Sequence, residues 1–371
     1  MKVGVPREIK NHEYRVAITP AGVHELTRRG HQVFVERGAG QGSAIPDDDY
    51  TVAGAKMLEG PDDIWAEGEL ILKVKEPIAA EYPRMRRGQT LFTYLHLAAS
   101  RECTEALLAS GVTAIAYETV QLPGGALPLL APMSEVAGRL APQVGANALM
   151  RSNGGRGVLP GGVPGVAPAR VVVIGGGVSG LNAAQIAVGM GAEVTVLDVS
   201  VDRLRHIDAI YQGRLRTVVS TAYTVEQEVR AADLVVGAVL IPGAKAPTLV
   251  PHALVRHMRP GSVLVDIAID QGGCFEDSHP TTHDHPTYPV EESLFYCVAN
   301  MPGSVPNTST HALTNVTLPY AASIADKGWR DALCDDRALA LGLNVHDGAL
   351  TYDHVAEAHG LPHVPMESLL S

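Results

Sequence analysis

The sequence predicts an α/β protein: two doubly wound parallel-sheet domains joined by long helices, with a cleft between them. Three observations point there. Apolar strand-like runs alternate with helical patterns from the first residues, and repeated β–α units imply parallel sheets covered by helices. A glycine-rich turn, "GGGVSG", sits between an all-apolar strand and a helix in the middle of the chain. The length of 371 residues is long for a single core and suggests two domains.

Taken in order, "KVGVP" reads as a short strand, and "TPAGVHELTRRG" as a helix with Thr19 as N-cap, Pro20 at its first position and Gly30 as its stop. "HQVFVE", "ELILKVK", "QTLFTYL" and "VTAIAYE" follow as strands, with helices expected at 77–86 and 101–110. "PMSEVAGRLAPQVGANALMRS" spaces Val136, Leu140 and Val144 at helical intervals, so one long helix bridges the domains, bent at Pro142. The Gly/Pro-rich residues 154–168 read as a linker or mobile loop. "RVVVIG", "EVTVLD", "LRTVVS", "ADLVVGAV", "SVLVDIAI" and "LFYCVA" are the strands of the second α/β unit. Residues 301–371 offer Pro-rich turns and helical patterns, with no further sheet, and are expected to return to the first domain. The expected domains are therefore 1–128 with 307–371, and 129–306.

Composition excludes several classes. With 46% hydrophobic and 19% charged residues the chain is ordinary globular, and its net charge of −11 argues against a nucleic-acid partner. The apolar runs are broken by glycines and polar residues, so no membrane span is expected. The N-terminus reads as neither signal nor transit peptide. Cys103, Cys274, Cys297 and Cys334 show no CxxC spacing, which suits a reducing, cytoplasmic setting and offers no zinc site.

The strongest motif is "VVVIGGGVSGLNAAQIAVGMGAEVTVLD". Gly175 permits the tight turn, Gly177 lets a pyrophosphate approach the backbone, and Gly180 lets the helix pack on the strand. The helix N-terminus offers unpaired N–H groups to phosphates. A second strand ends at Asp198, where a carboxylate can accept both ribose hydroxyls and repel a 2′-phosphate. This is a Rossmann-like unit that prefers NAD, with Arg203 and Arg205 shortly beyond.

Other candidates are ambiguous one by one. Asp270 leads into a Gly-rich turn at a sheet edge, a better site candidate than Asp266 in the apolar run, yet a plain surface turn is also open. Lys73 and Lys75 share one face of the expected strand "ELILKVK"; Lys75 is either snorkelling to solvent or holding an anion. Arg15 could fork onto a carboxylate or lie solvated. His96, at the end of "QTLFTYLHLAAS", is a core histidine or an acid/base group. With Lys75 and His96 at one sheet edge, and a dinucleotide domain across the cleft, the set suits hydride transfer at an amine or hydroxyl of an acid substrate.

Long segments carry a resemblance: "GVPREIKNHEYRVAITPAGV", "ILKVKEP", "LHLAAS", "AYETVQ", "MSEVAGRLA", "GGRGVL", "GGVPGV", "VDIAIDQGGCFE" and "YCVANMPGSVP". By these the chain resembles the NAD-dependent alanine dehydrogenase family over nearly its whole length. The resemblance implies oxidative deamination of L-alanine to pyruvate and ammonia, and a homohexamer. It implies Arg15 and Lys75 as substrate ligands and His96 with Asp270 as the acid/base pair. It implies NAD contacts at Ser134, Gly177, Val178, Asp198, Arg203, Ser220, Val239, Leu240, Ile267, Asp270, Val298 and Met301. Pro142 and Pro160 depart from the expected pattern, and "SIADKGW", with Lys327, offers too little acid for the magnesium described in some relatives. A soluble NAD-binding transhydrogenase subunit, or a non-catalytic NAD-binding protein, remains a rival reading.

Overall fold

The computed structural model describes residues 1–239 and 246–370, Gln271 by its backbone alone. It divides into two compact units, Met1–Met133 with Val305–Ser371, and Ser134–Ser304.

The first unit holds an eight-stranded sheet in the order Ala349–Leu350, Leu343–His346, Thr113–Ala116, Thr90–Thr93, Leu70–Leu72, Lys2–Val5, Gln32–Glu36, Lys56–Leu58. The strands from Thr113–Ala116 onward are parallel, and LIL, TLFT and TAIA are buried at every position. Burial on both faces is what a parallel sheet covered by helices demands, and it explains why these strands read as unbroken apolar runs. The helix Pro20–Arg28 starts as expected: Thr19 Oγ1 accepts from Gly22 N at 3.4 Å, and Pro20 occupies the first turn, where no N–H is missed. Gly30 follows with φ +89.

Three expectations need correction. No α-helix covers 77–86; only a 3₁₀ turn, Tyr82–Arg84, forms there, because Pro77 and Pro83 each lack an N–H and restrict the residue before them. The strands "ELILKVK" and "QTLFTYL" end at Leu72 and Thr93, so Lys73, Lys75 and His96 stand on the loops beyond the strand ends. The C-terminal segment is not only helical: Leu343–His346 pairs antiparallel with Thr113–Ala116 and turns back into Ala349–Leu350. The signal was the dipeptide Asp347-Gly348, whose φ values of +46 and +84 suit a two-residue hairpin turn.

The second unit holds a seven-stranded sheet ordered Thr287–Val290, Ser293–Tyr296, Val263–Asp266, Leu234–Gly237, Arg170–Ile174, Glu193–Asp198, Arg216–Val219. It is parallel apart from the Thr287–Val290 edge strand. Val172, Val235, Leu264 and Phe295 belong to its core, and Phe275 meets Phe295 edge-on at 5.8 Å. Ala131–Ala148 is one helix with Pro142 inside it, and the chain passes from the first unit into the second within it. The 154–168 segment is tied down by main-chain bonds from Arg156 N to Gly261 O, Gly157 N to Leu149 O and Ala169 N to Pro160 O.

The glycine turn shows why packing dictates its sequence. A Cβ at Gly180 would lie 1.7 Å from the Gly175 carbonyl oxygen, so the helix Val178–Gly189 reaches the strand only without one. Gly180→Ala is therefore expected to cost about 3 kcal/mol of stability or more, read as a fall of several degrees in the thermal midpoint.

Candidate active site

Three neighbouring parallel strands, Lys2–Val5, Leu70–Leu72 and Thr90–Thr93, deliver Arg15, Lys75 and His96 from the loops that follow their C-terminal ends. Ligands bind outside the carboxyl ends of strands in sheets of this type. The anchor is Glu8. Its Oε1 accepts from Val74 N at 2.6 Å and Lys75 N at 3.3 Å, while Oε2 meets Lys73 Nζ at 2.9 Å. Lys73, fully buried, also meets Glu81 Oε1 at 2.9 Å. Burial opposes the Lys73 charge, but the two carboxylates outweigh it and raise the ammonium above its usual range. The structure thus separates the two lysines: Lys73 is a structural ion, and Lys75 is half-buried. Among the described residues the Lys75 ammonium has no hydrogen-bonded or ion-paired partner.

Arg15 does fork onto a carboxylate, that of Glu13. Nε donates to Oε1 at 2.7 Å and Nη2 to Oε2 at 2.5 Å, both side chains being buried. Nη1 faces the Met133 sulfur at 3.0 Å, a weak acceptor. Burial pushes the Glu13 carboxyl up, and the charge and hydrogen bonds of Arg15, with Lys75 behind, bring it down to about 2.

His96 adopts the left-handed region, φ +48 and ψ +38, uncommon for a residue with a side chain. Glu118 holds it there, its Oε1 accepting from His96 N at 2.6 Å and from Leu95 N at 3.1 Å. The ring stacks on Tyr94 at 5.7 Å and 13°, and Tyr94 Oη donates to the Leu129 carbonyl at 2.6 Å. The half-buried imidazole itself has no hydrogen-bond partner among the described residues. A core histidine would have one. Sequence reasoning missed Glu13, Glu76 and Glu118; the first two stand beside cations it singled out, and Glu118 has no local signal.

In the second unit the turn after Arg170–Ile174 has Gly175 at φ +101 and opens the helix Val178–Gly189 with no side-chain cap. Its first N–H groups therefore remain for a phosphate. A Cβ at Gly177 would meet only Arg203 Nη1 at 3.6 Å, so the space before the backbone is open. Asp198 accepts from Gly176 N and Ser200 N, both at 2.8 Å, and each oxygen keeps a lone pair for a ribose hydroxyl. Arg203 Nη1 lies 3.7 Å from Asp198 Oδ2. Ser220 N donates to the Asp198 carbonyl at 2.9 Å, Val178 is 46% exposed, and Ser134 and Val239 are half-buried. These residues fit a dinucleotide.

Asp266 and Asp270 also separate. Asp266 is fully buried, accepts from Ser278 Oγ at 2.6 Å and Cys274 N at 2.7 Å, and is a structural anchor whose carboxyl burial pushes up. Asp270 is exposed, on the 3₁₀ turn Ile269–Gln271, with Ile267 half-buried before it. The side chains of Val298 and Met301 are buried. Leu240 lies outside the described residues. His96 belongs to the first unit and Asp270 to the second. Among the described residues no group of three or more His, Cys, Asp or Glu is placed to hold a metal ion, and no helix is long and apolar enough to cross a membrane.

Residues 4–137 match the family described as alanine dehydrogenase/PNT, N-terminal domain, and residues 141–353 match its C-terminal domain. The chain is 65% identical over 371 residues to an alanine dehydrogenase of Mycobacterium tuberculosis (strain CDC 1551 / Oshkosh), covering 100% of both. Among solved structures it is similar to an L-alanine dehydrogenase at TM-score 0.94 and 52% identity, covering 97% of this chain and 99% of that one. A transhydrogenase from Sinorhizobium meliloti aligns at TM-score 0.81 and 26% identity, over 95% of this chain and 99% of that one.

A Cβ at Gly177, unlike one at Gly180, meets no backbone atom. Gly177→Ala is expected to leave the thermal midpoint unchanged while weakening NAD binding by at least about tenfold, about 1.4 kcal/mol, in a fluorescence titration.

Proposed function

The chain belongs to the alanine dehydrogenase/PNT family, and we propose from that premise that it catalyses the reversible NAD-dependent oxidative deamination of L-alanine to pyruvate and ammonia. The observation that carries the reading is the pair of unengaged groups at adjacent strand ends, the Lys75 ammonium and the His96 imidazole. A subunit that only carried a dinucleotide would need neither.

In this reading residues 1–128 with 307–371 hold the substrate and 129–306 the cofactor. Lys75 binds the substrate carboxylate, and Arg15 supports it through its Nη1 edge, which exchanges the weak Met133 sulfur for a carboxylate oxygen. Glu13 fixes the Arg15 plane, so the fork is pre-oriented. His96 takes a proton from the substrate amine and passes it to solvent; the freed imidazole then takes a proton from the water that adds to the imine and returns that proton to the departing ammonia. Asp270, exposed on its turn, stabilises the cationic imine. Bound NAD supplies the acceptor for the Cα hydride, and NADH the donor in the reverse direction. Gly175, Gly177 and Gly180 shape the pyrophosphate turn, Asp198 holds the ribose, and Ser134, Val178, Arg203, Ser220, Val239, Ile267 and the main chain at Val298 and Met301 line the remainder. The reading extends to a homohexamer in the cytoplasm, a setting that suits its four free cysteines.

The test follows NADH absorbance with L-alanine plus NAD, and with pyruvate, ammonium and NADH. Turnover is expected in both directions, and silence in both from folded, NAD-binding protein contradicts the proposal. His96→Ala is expected to lower kcat by on the order of 10²–10⁴ with NAD affinity retained; loss of NAD affinity instead would make His96 structural.

A further inference from the structure

The pairing of strands Leu70–Leu72 and Thr90–Thr93 does not stop where the strands end. Leu72 is registered with Phe92, Lys73 N donates to the Phe92 carbonyl at 3.2 Å, and Tyr94 N donates to the Val74 carbonyl at 3.3 Å. Thr93 Oγ1 then donates to the Lys75 carbonyl at 3.1 Å. Glu76 and His96, each four residues past a registered pair member, are thereby carried out side by side. Glu76 is largely buried, with one oxygen ion-paired to Lys10. Its other oxygen, Oε2, is buried and has no hydrogen-bond partner among the described residues. A buried carboxylate oxygen left unmatched is costly, and within electrostatic reach of this carboxyl is the His96 imidazole, also without a partner among the described residues.

We propose that Glu76 is the positioning residue for His96: when the imidazole takes up a proton from the substrate, its second ring N–H donates to Glu76 Oε2. The proton leaves the substrate nitrogen or the attacking water and bonds to one ring nitrogen; no electrons move to or from the protein. This rests on the proposed function and deepens it. The need is electrostatic. The imidazolium forms near Lys75 and Arg15, both cations, while Glu118 is turned to the main chain of Leu95 and His96, and Tyr94 offers only its ring face. From the remaining neighbouring element, His359 binds the Leu97 carbonyl through Nε2. Glu76 is left as the counter-charge. Burial works against its ionisation, and Lys75, His96 and Lys10 together hold its carboxyl below the usual range, so it is charged when needed.

The experiment is the pH profile of kcat for alanine oxidation in wild type, Glu76→Gln and Glu76→Asp, with NAD affinity and thermal midpoint measured alongside. Without the carboxylate the limb on which the base must be unprotonated is expected to move to lower pH by about one unit, with kcat down at least about tenfold and the KM for alanine nearly unchanged. Glu76→Asp, which keeps the charge and withdraws it by one methylene, is expected to give an intermediate limb, and it serves alone where Glu76→Gln does not fold. A limb at the wild-type position with undiminished kcat in either folded variant overturns the proposal. Absence of alanine turnover in wild type instead overturns the functional reading beneath it.

Discussion

The first unit depends on one buried carboxylate. Glu8 leaves the strand Lys2–Val5 and reaches the next strand's exit, where it accepts the amides of Val74 and Lys75 and the ammonium of Lys73. Without Lys73 the arrangement would bury the charges of Glu8 and Glu81 together, and removing one partner of such a buried set costs roughly 3–5 kcal/mol. With it, the main chain leaving Leu72 is held on both sides. Lys75 and Glu76 then emerge in fixed positions, and the loop bearing His96 is tied to them through Tyr94 N and Thr93 Oγ1.

Charge at this edge is divided between fold and chemistry. Lys73 and Arg15 are buried and matched by carboxylates, and their work is largely orientation. Lys75 and His96 are half-buried and unengaged, and His96 sits in a strained backbone region that Glu118 maintains. Strain of this kind persists where surrounding structure over-determines it, and it is a mark of functional sites. In the second unit the same division falls on glycines: Gly180 is set by packing, Gly177 by the open space before it.

Much of this was legible in the sequence, for identifiable reasons. Buried parallel strands advertise themselves as apolar runs, and the glycine turn with Asp198 at the next strand's end has a mechanical logic that local spacing records. What local spacing cannot record is partnership across the chain. Nothing near Lys73 says that Glu8, 65 residues earlier, will bury it. The expected strand through Lys75 stops at Leu72 because the amides of Val74 and Lys75 turn to the Glu8 carboxylate. The expected helix at 77–86 failed because its prolines outweighed its composition. The strand Leu343–His346 was missed because its turn signal, Asp347-Gly348, lay among helical patterns.

The central claim is that two lysines two residues apart carry different duties, Lys73 the fold and Lys75 the substrate. Thermal unfolding of Lys73→Met beside Lys75→Met, with alanine turnover measured on the same samples, tests it most directly. The account predicts that Lys73→Met lowers the midpoint by several degrees, whereas Lys75→Met melts with the wild type and loses turnover through alanine binding. A Lys75→Met protein that unfolds early, or a Lys73→Met protein as stable as wild type, would contradict it.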